Sequence, residues 1–212
     1  MTKRGCFISI EGVEGVGKST NLEFVQSLLS QQGIPFVTTR EPGGTPLAEK
    51  IRELLLDKNN DEMTDTTELM LVFAARAQHV ESLIEPALNR GDWVICDRFT
   101  DSTYAYQGGG RGMSFELIQQ IDAVALSQYQ PDRTILLDLP IEIGLERASL
   151  RGELDRFERE SSSFFERVRR AFLSRAAEQP NRFVVIDAGQ PLDDVQLGIE
   201  AAIRNTITSW QK

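Results

Sequence analysis

Histidine and cysteine are scarce in this chain, one and two among 212 residues. The lone imidazole, His79, has no second ligand or paired nucleophile in view, so it reads as structural rather than catalytic. Cys6 and Cys96 lie in apolar runs that read as buried strands, which suits reduced core thiols and argues against a disulfide or metal framework. Positive charge is also short: 23 Lys and Arg against 32 Asp and Glu leave a formal net charge of -9. That balance excludes a general role on nucleic acid, which needs a basic stripe to neutralise phosphates. Any anionic ligand must therefore be held by local positive groups. No long apolar run is present; the one that follows residues 1–5 is interrupted by Glu11, too short for a signal-peptide core or a membrane span. The expectation is a cytoplasmic protein with neither membrane nor nucleic acid as partner. Internal repeats, low-complexity linkers and the Asn-Lys-x-Asp segment of a guanine-reading switch are missing too, and the chain is short for a motor ATPase.

What is there is ordinary in bulk, with 41% hydrophobic and 26% charged residues, and its length suits one domain spanning residues 1–212. Runs rich in β-branched and aromatic residues recur at 6–10, 36–39, 93–96, 134–137 and 183–186, each nearly continuous in apolar character. Helical periodicity fills the stretches 19–32, 47–56, 67–89, 115–128, 142–150, 163–178 and 192–210, with Gly33 and Gly91 as stops. Alternating strands and helices predict an α/β fold, a parallel five-stranded sheet with helices on both faces. The Gly108-Gly109-Gly110 run reads as a flexible loop, and Ser161-Ser162-Ser163 as a helix cap.

The most informative segment is Gly12-Val13-Glu14-Gly15-Val16-Gly17-Lys18-Ser19, which has the G-x-x-x-x-G-K-[ST] spacing between a predicted strand and a predicted helix. Glycines let backbone N–H groups close around an anion, and the helix N-terminus adds a favourable dipole. Lys18 can reach the β- and γ-phosphates of a nucleotide, and the Ser19 hydroxyl can ligate Mg2+, whose protein shell is usually sparse. The expected fold is thus that of the P-loop NTPases.

The second substrate has to be sought elsewhere. Residues 93–98 end a buried strand in Asp97 and Arg98, at the kind of strand terminus where open parallel sheets bind ligands. Asp97 can organise Mg2+ through water, and the planar fork of Arg98 suits a phosphate monoester; without their context the two would read as a surface ion pair. From Asp101 onward the pattern is helical, so Thr103 and Gln107 share a face. On the helix from Thr67, Leu69, Phe73 and Arg76 recur at spacings of four and three. Phe73 beside Arg76 suits base stacking; taken alone they read as a core aromatic and a solvated charge. Arg147, Arg151, Arg156 and Arg159 crowd a stretch that is either a lid closing over phosphates or a solvated helix with Glu partners.

Together these residues resemble the thymidylate kinase family, and the similarity runs over essentially the whole chain. It is carried by Phe7-Ile8-Ser9-Ile10-Glu11-Gly12, by Thr39-Arg40-Glu41-Pro42-Gly43-Gly44-Thr45 and, most specifically, by Asp97-Arg98-Phe99-x-x-Ser102-x-x-Ala105-Tyr106-Gln107. The resemblance implies ATP as donor with Mg2+, dTMP as acceptor, and a homodimer. It further implies that Arg98 and Arg76 hold the dTMP phosphate, that Phe73 stacks on thymine, and that Thr103 and Gln107 read the base beside Ser102 and Tyr106. Glu14 would approach the sugar, and Arg40 and Pro42 would border the pocket. ATP would be held by Gly12, Val13, Glu14, Gly15, Val16, Gly17, Lys18, Ser19 and Thr20, with adenine near Ala188-Gly189-Gln190-Pro191. Some members carry a catalytic arginine in the P-loop, but the variable positions here are Val13, Glu14, Gly15 and Val16. The other type supplies it from a lid, here residues 147–160. Arg151 looks like that residue, with Arg147 and Arg156 as neighbours, and joins Lys18 and Arg98 as catalytic; Ser19 and Asp97 would hold the metal. The nearest alternatives are a deoxynucleoside kinase using Glu14 or Asp97 as base, and a non-catalytic ATP switch.

Overall fold

Each apolar run becomes a strand of one parallel sheet. A computed structural model describes residues 3–126, 129–150 and 155–210. The strands are β1 (Phe7–Glu11), β2 (Phe36–Arg40), β3 (Trp93–Asp97), β4 (Arg133–Asp138) and β5 (Phe183–Asp187), in the order β2-β3-β1-β4-β5. Phe7 stands opposite Val94 on one side of β1, and Ile8 opposite Arg133 on the other. Every residue of the central β1 is buried, which explains why its sequence is largely apolar, with Phe7, Ile8 and Ile10 facing both sides of the sheet. Its one small polar residue, Ser9, is paired with Thr134 Oγ1 at 2.9 Å, so burial leaves no unmet hydrogen bond there.

The helices among the described residues are α1 (Lys18–Gln31), α2 (Pro46–Leu56), α3 (Asp65–His79), α4 (Glu85–Arg90), α5 (Thr100–Thr103), α6 (Phe115–Leu126), α7 (Ile141–Ser149), α8 (Ser162–Glu178) and α9 (Leu192–Trp210). They cover both faces of the sheet. On one side Val25 and Leu29 of α1, Phe165 and Phe172 of α8 and Ile199 of α9 pack on Ile8 and Ile10. On the other, Leu69 and Phe73 of α3, Leu88 of α4 and Ile118 of α6 pack on Phe7 and Val94. Each such side chain contributes ~1.5–3 kcal/mol of burial, so the two layers dominate the stability of the scaffold. Helix ends follow their chemistry: the Ser161 side chain accepts from the Phe164 N–H, and Gly91, at φ 94°, closes α4 in the left-handed region.

Two expectations change. The helix expected over 67–89 is interrupted by a π-helical turn, Val80–Ile84, between α3 and α4. Pro86 lies just beyond; its missing N–H and its ring are incompatible with an unbroken α ladder, and the wider turn accommodates them. Gly108, Gly109 and Gly110 do not form a flexible loop. They end a second π-helical segment, Tyr104–Gly110, wedged against α6 and α8. A Cβ on Gly109 would lie 2.7 Å from that of Ala171, and one on Gly110 would collide with the Phe164 ring, so the run is short of side chains because it is tightly packed.

The chain leaves β1 toward β2 and leaves β3 toward β4, in opposite directions across the sheet. A crevice therefore opens at the carboxyl ends of these adjacent strands, the expected ligand position in an open α/β sheet.

Candidate active site

The P-loop occupies that crevice. Gly12, Gly15 and Gly17 all have positive φ, and a Cβ on Gly15 would collide with the backbone of Gly144 at α7, so only glycine lets the loop pass. Val13 and Val16 turn their side chains into the core and leave their backbone facing the loop. The Lys18 ammonium is tethered to the carbonyls of Gly12 at 3.0 Å and Val13 at 3.1 Å. Burial, reinforced by the nearby Arg98, pulls the Lys18 pKa down to about 8 despite the acids Asp97, Glu14 and Glu11 around it.

Arg98 sits one residue past β3, at φ 68°, a left-handed conformation rare for a residue with a side chain. The turn drives its guanidinium back over the P-loop. There it donates to Gly12 O at 2.9 Å, Ser102 Oγ at 3.2 Å and Glu14 Oε1 at 2.9 Å, and lies over the Tyr106 ring. Burial alone would lower its pKa, but Tyr106, Glu14, Asp97 and Glu11 together raise it above the usual arginine value, so the cation is permanent. Glu14 is held in turn by the Tyr106 hydroxyl at 2.7 Å. Beneath them, the fully buried Glu11 accepts from Phe99 N–H at 2.7 Å and from the Ser102 hydroxyl at 2.6 Å. Burial, then the proximity of Asp101, pushes the Glu11 pKa up to about 8.

Glu14, Lys18, Arg98, Ser102 and Tyr106 line one cavity of about 460 Å³, within the range expected of a small-molecule site. Its donor side is made by Glu14, Gly15, Gly17, Lys18, Ser19 and Thr20, with Arg147 of α7 at the rim. Its far side is made by Pro42, Val72, Arg76, Ser102, Thr103, Tyr106 and Gln107. Arg76 is buried; its Nε donates to Glu41 Oε2 at 2.5 Å and its Nη2 to Phe99 O at 3.2 Å, while Nη1 has no protein partner among the described residues. A buried, unmatched N–H on a cavity wall is a ready ligand donor. Thr103 Oγ1 and Asp97 Oδ1 are likewise buried without partners. Asp97 and Ser19 line the same cavity, two oxygen donors that fit the sparse protein shell of Mg2+.

Several expected contacts move. Phe73 is buried in the layer beneath α3, and Val72 takes the cavity wall in its place. The reason is helical phase: Glu68, Val72 and Arg76, four apart, form the stripe that faces the cavity side, whereas Leu69 and Phe73 turn toward the sheet. Arg156 also faces away. Its Nε donates to Leu55 O at 2.9 Å, and Nη2 lies 2.6 Å from Glu68 Oε2, so it ties its segment to α2 and α3 rather than reaching the phosphates. Arg40 is exposed and paired with Glu49 at 2.9 Å, outside the cavity. Gln190 and Pro191 are exposed just past β5, also outside the cavity wall. Arg151 falls outside the described residues.

Three contributors escaped the sequence reading. Glu41 grips Arg76 and is itself bonded to His79 Nδ1 at 2.9 Å, which gives the structural histidine its partner. Arg52 of α2 reaches the cavity beside Pro42, donating to its carbonyl at 2.8 Å. Glu68 binds Gln107 and Arg111. The spacing 68, 72, 76 was the available signal for the last.

A glycine loop with its lysine, joined in one cavity to a pocket walled by Arg98 and Arg76, defines a P-loop phosphotransferase that acts on a small phosphorylated acceptor. The family model for thymidylate kinase matches residues 10–199. A thymidylate kinase from Ectopseudomonas mendocina is 57% identical over 199 residues, covering 94% of this chain and 95% of the relative. One from Pseudomonas fluorescens is 58% identical over 203 residues, covering 96% and 97%. The crystal structure of thymidylate kinase from Ehrlichia chaffeensis superimposes with a TM-score of 0.76 at 32% identity, covering 95% of this chain and 99% of that one. The chain belongs to the thymidylate kinase family.

Proposed function

We propose that the chain transfers the γ-phosphate of ATP to dTMP, yielding ADP and dTDP for dTTP synthesis. The observation that carries this is the sharing of one cavity by the P-loop, by the partly buried guanidinium of Arg98 and by the buried one of Arg76. A phosphate monoester has a second pKa near ~6 and is mostly dianionic at neutral pH, so the acceptor needs no strong general base. Catalysis reduces to alignment and charge compensation. Lys18 draws the donor phosphates onto the loop, Arg98 holds the acceptor phosphate beside them, and Glu14 with Tyr106 fixes the sugar side. Arg76, through its unmatched Nη1, offers a further donor to the acceptor nucleotide. Ser19 and Asp97 would hold Mg2+, which supplies neutralisation of charge on the β- and γ-phosphates. Arg151 supplies the transition-state cation, since the P-loop contains no arginine.

The reading is tested by coupled ADP release across thymidine and a panel of nucleoside monophosphates. Strong stimulation by dTMP is expected; stimulation by thymidine alone would replace the monophosphate reading with a nucleoside kinase. The protein also pairs with a second copy through an apolar groove between α3 and α6, where Phe73 and Ile121 are joined by the exposed Met70, Leu117 and Val124. Sedimentation should give a dimer that Val124→Glu converts to monomer; a monomeric parent protein would remove this assignment. No helix among the described residues is long and apolar enough to cross a membrane, in keeping with a cytoplasmic enzyme.

A further inference from the structure

Glu68 does not touch the P-loop, yet it is fully buried behind the acceptor side of the cavity and organises more polar partners than any phosphate contact requires. Its Oε1 accepts from the Gln107 side-chain nitrogen at 2.9 Å and from Arg111 Nε at 3.3 Å. Its Oε2 accepts from Arg111 Nη2 at 3.1 Å and forms an ion pair with Arg156 Nη2 at 2.6 Å. Two guanidiniums thus hold the carboxylate in a single orientation, and Arg111 is shared with Glu160 and Asp65. Gln107 is itself buried, lines the cavity, and lies one turn after Thr103, whose hydroxyl has no partner among the described residues.

An amide side chain is chemically two-faced, with a donor nitrogen and an acceptor oxygen that can exchange places by rotation. A carboxylate is acceptor-only, so a Glu68–Gln107 contact is favourable in one orientation alone, nitrogen toward the acid. The amide oxygen is then the group left to meet a ligand. We infer that Glu68 is a positioning residue for base selection: it fixes Gln107 with its carbonyl oxygen available to the acceptor base, and so selects bases bearing an N–H at the central Watson–Crick position. Thymine and uracil carry that hydrogen on N3. Cytosine presents a bare N3 lone pair there, which would face the Gln107 oxygen with no hydrogen between them. The inference rests on the reading of this cavity as the nucleoside monophosphate site.

The experiment measures kcat/KM for dTMP and for dCMP on the same preparation, with ATP held saturating, in the parent protein, Glu68→Gln, Glu68→Asp and Gln107→Ala. Glutamine at 68 can donate as well as accept, which frees Gln107 to invert. The dTMP preference over dCMP should fall at least about tenfold in Glu68→Gln, while KM for ATP stays within about twofold. Glu68→Asp remains acceptor-only and should keep the preference within about threefold, even where both rates drop. A purely structural role would lower both substrates by the same factor, and the ratio cancels any loss of folded protein. An unchanged ratio in Glu68→Gln beside a collapsed ratio in Gln107→Ala overturns the role of Glu68 alone. An unchanged ratio in Gln107→Ala overturns the placement of the base at this wall. Should Glu68→Gln fail to fold, an unchanged ratio in Gln107→Ala refutes the inference by itself.

Discussion

The depressed pKa of Lys18 makes the P-loop a site that strains the free protein and is relieved by its ligand. Its pKa falls from an ordinary 10.5 to about 8, chiefly through burial and then through Arg98. Between those values the unfolded chain holds a proton that the folded chain has released, so stability rises with pH across the window from about 8 to about 10.5. Taken whole, a depression of this size is worth at most ~3 kcal/mol. Lys18 is only partly buried, and solvent screening reduces the figure to ~1–2 kcal/mol. The perturbation is Lys18→Met, which removes the titration but keeps the stem. Urea unfolding of both proteins at pH 7 and pH 10 gives the difference in their stabilities, in which titrations common to both cancel. The parent protein should gain ~1–2 kcal/mol relative to the variant over this range. With saturating ATP and Mg2+ the gain should vanish, because the phosphates keep Lys18 charged. A flat difference in the ligand-free proteins, or one of opposite sign, would refute the reasoning.

Glu41→Gln should cost ~3 kcal/mol, since Arg76 would be left as a buried charge without its carboxylate; thermal melts measure this, and KM for dTMP should rise about tenfold with KM for ATP little changed. A variant as stable as the parent would remove Glu41 from its place under Arg76. Asp101 has its pKa depressed: burial acts to raise it, but hydrogen bonding and charge from Arg182 and Arg175 win. Its stabilising contribution is therefore complete above the unfolded value of 3.8 and is lost as pH falls below it. Asp101→Asn should flatten the acid limb of the stability curve, and an unaltered acid limb would show that the network carries no pH dependence.

The strands were legible because a sheet covered on both faces needs continuous apolar runs, and the P-loop because its glycines and lysine have no common structural substitute. Helical phase was harder. On α3, Leu69 with Phe73 and Glu68 with Val72 are both four-residue pairs, and periodicity alone does not say which faces a cavity that other elements create. The larger aromatic went to the core, where it buries more area, and Val72 was left at the wall. Arginines in the 147–160 stretch could be counted but not aimed, and the structure turns Arg156 toward Glu68. Glu41 was invisible among 32 acids because a buried acid is recognisable only with its cations in place, and Glu68 offered only its spacing to Val72 and Arg76. Arg52 was passed over for the same reason, as its role depends on the loop that brings Pro42 beside it.

The most direct test follows the labelled γ-phosphate of ATP in the presence of dTMP and Mg2+. Label should appear in dTDP at a rate that Lys18→Ala and Arg98→Ala each lower by roughly a thousandfold or more. Label recovered only as inorganic phosphate, or transfer unaffected by both substitutions, would contradict the account of one cavity joining donor and acceptor.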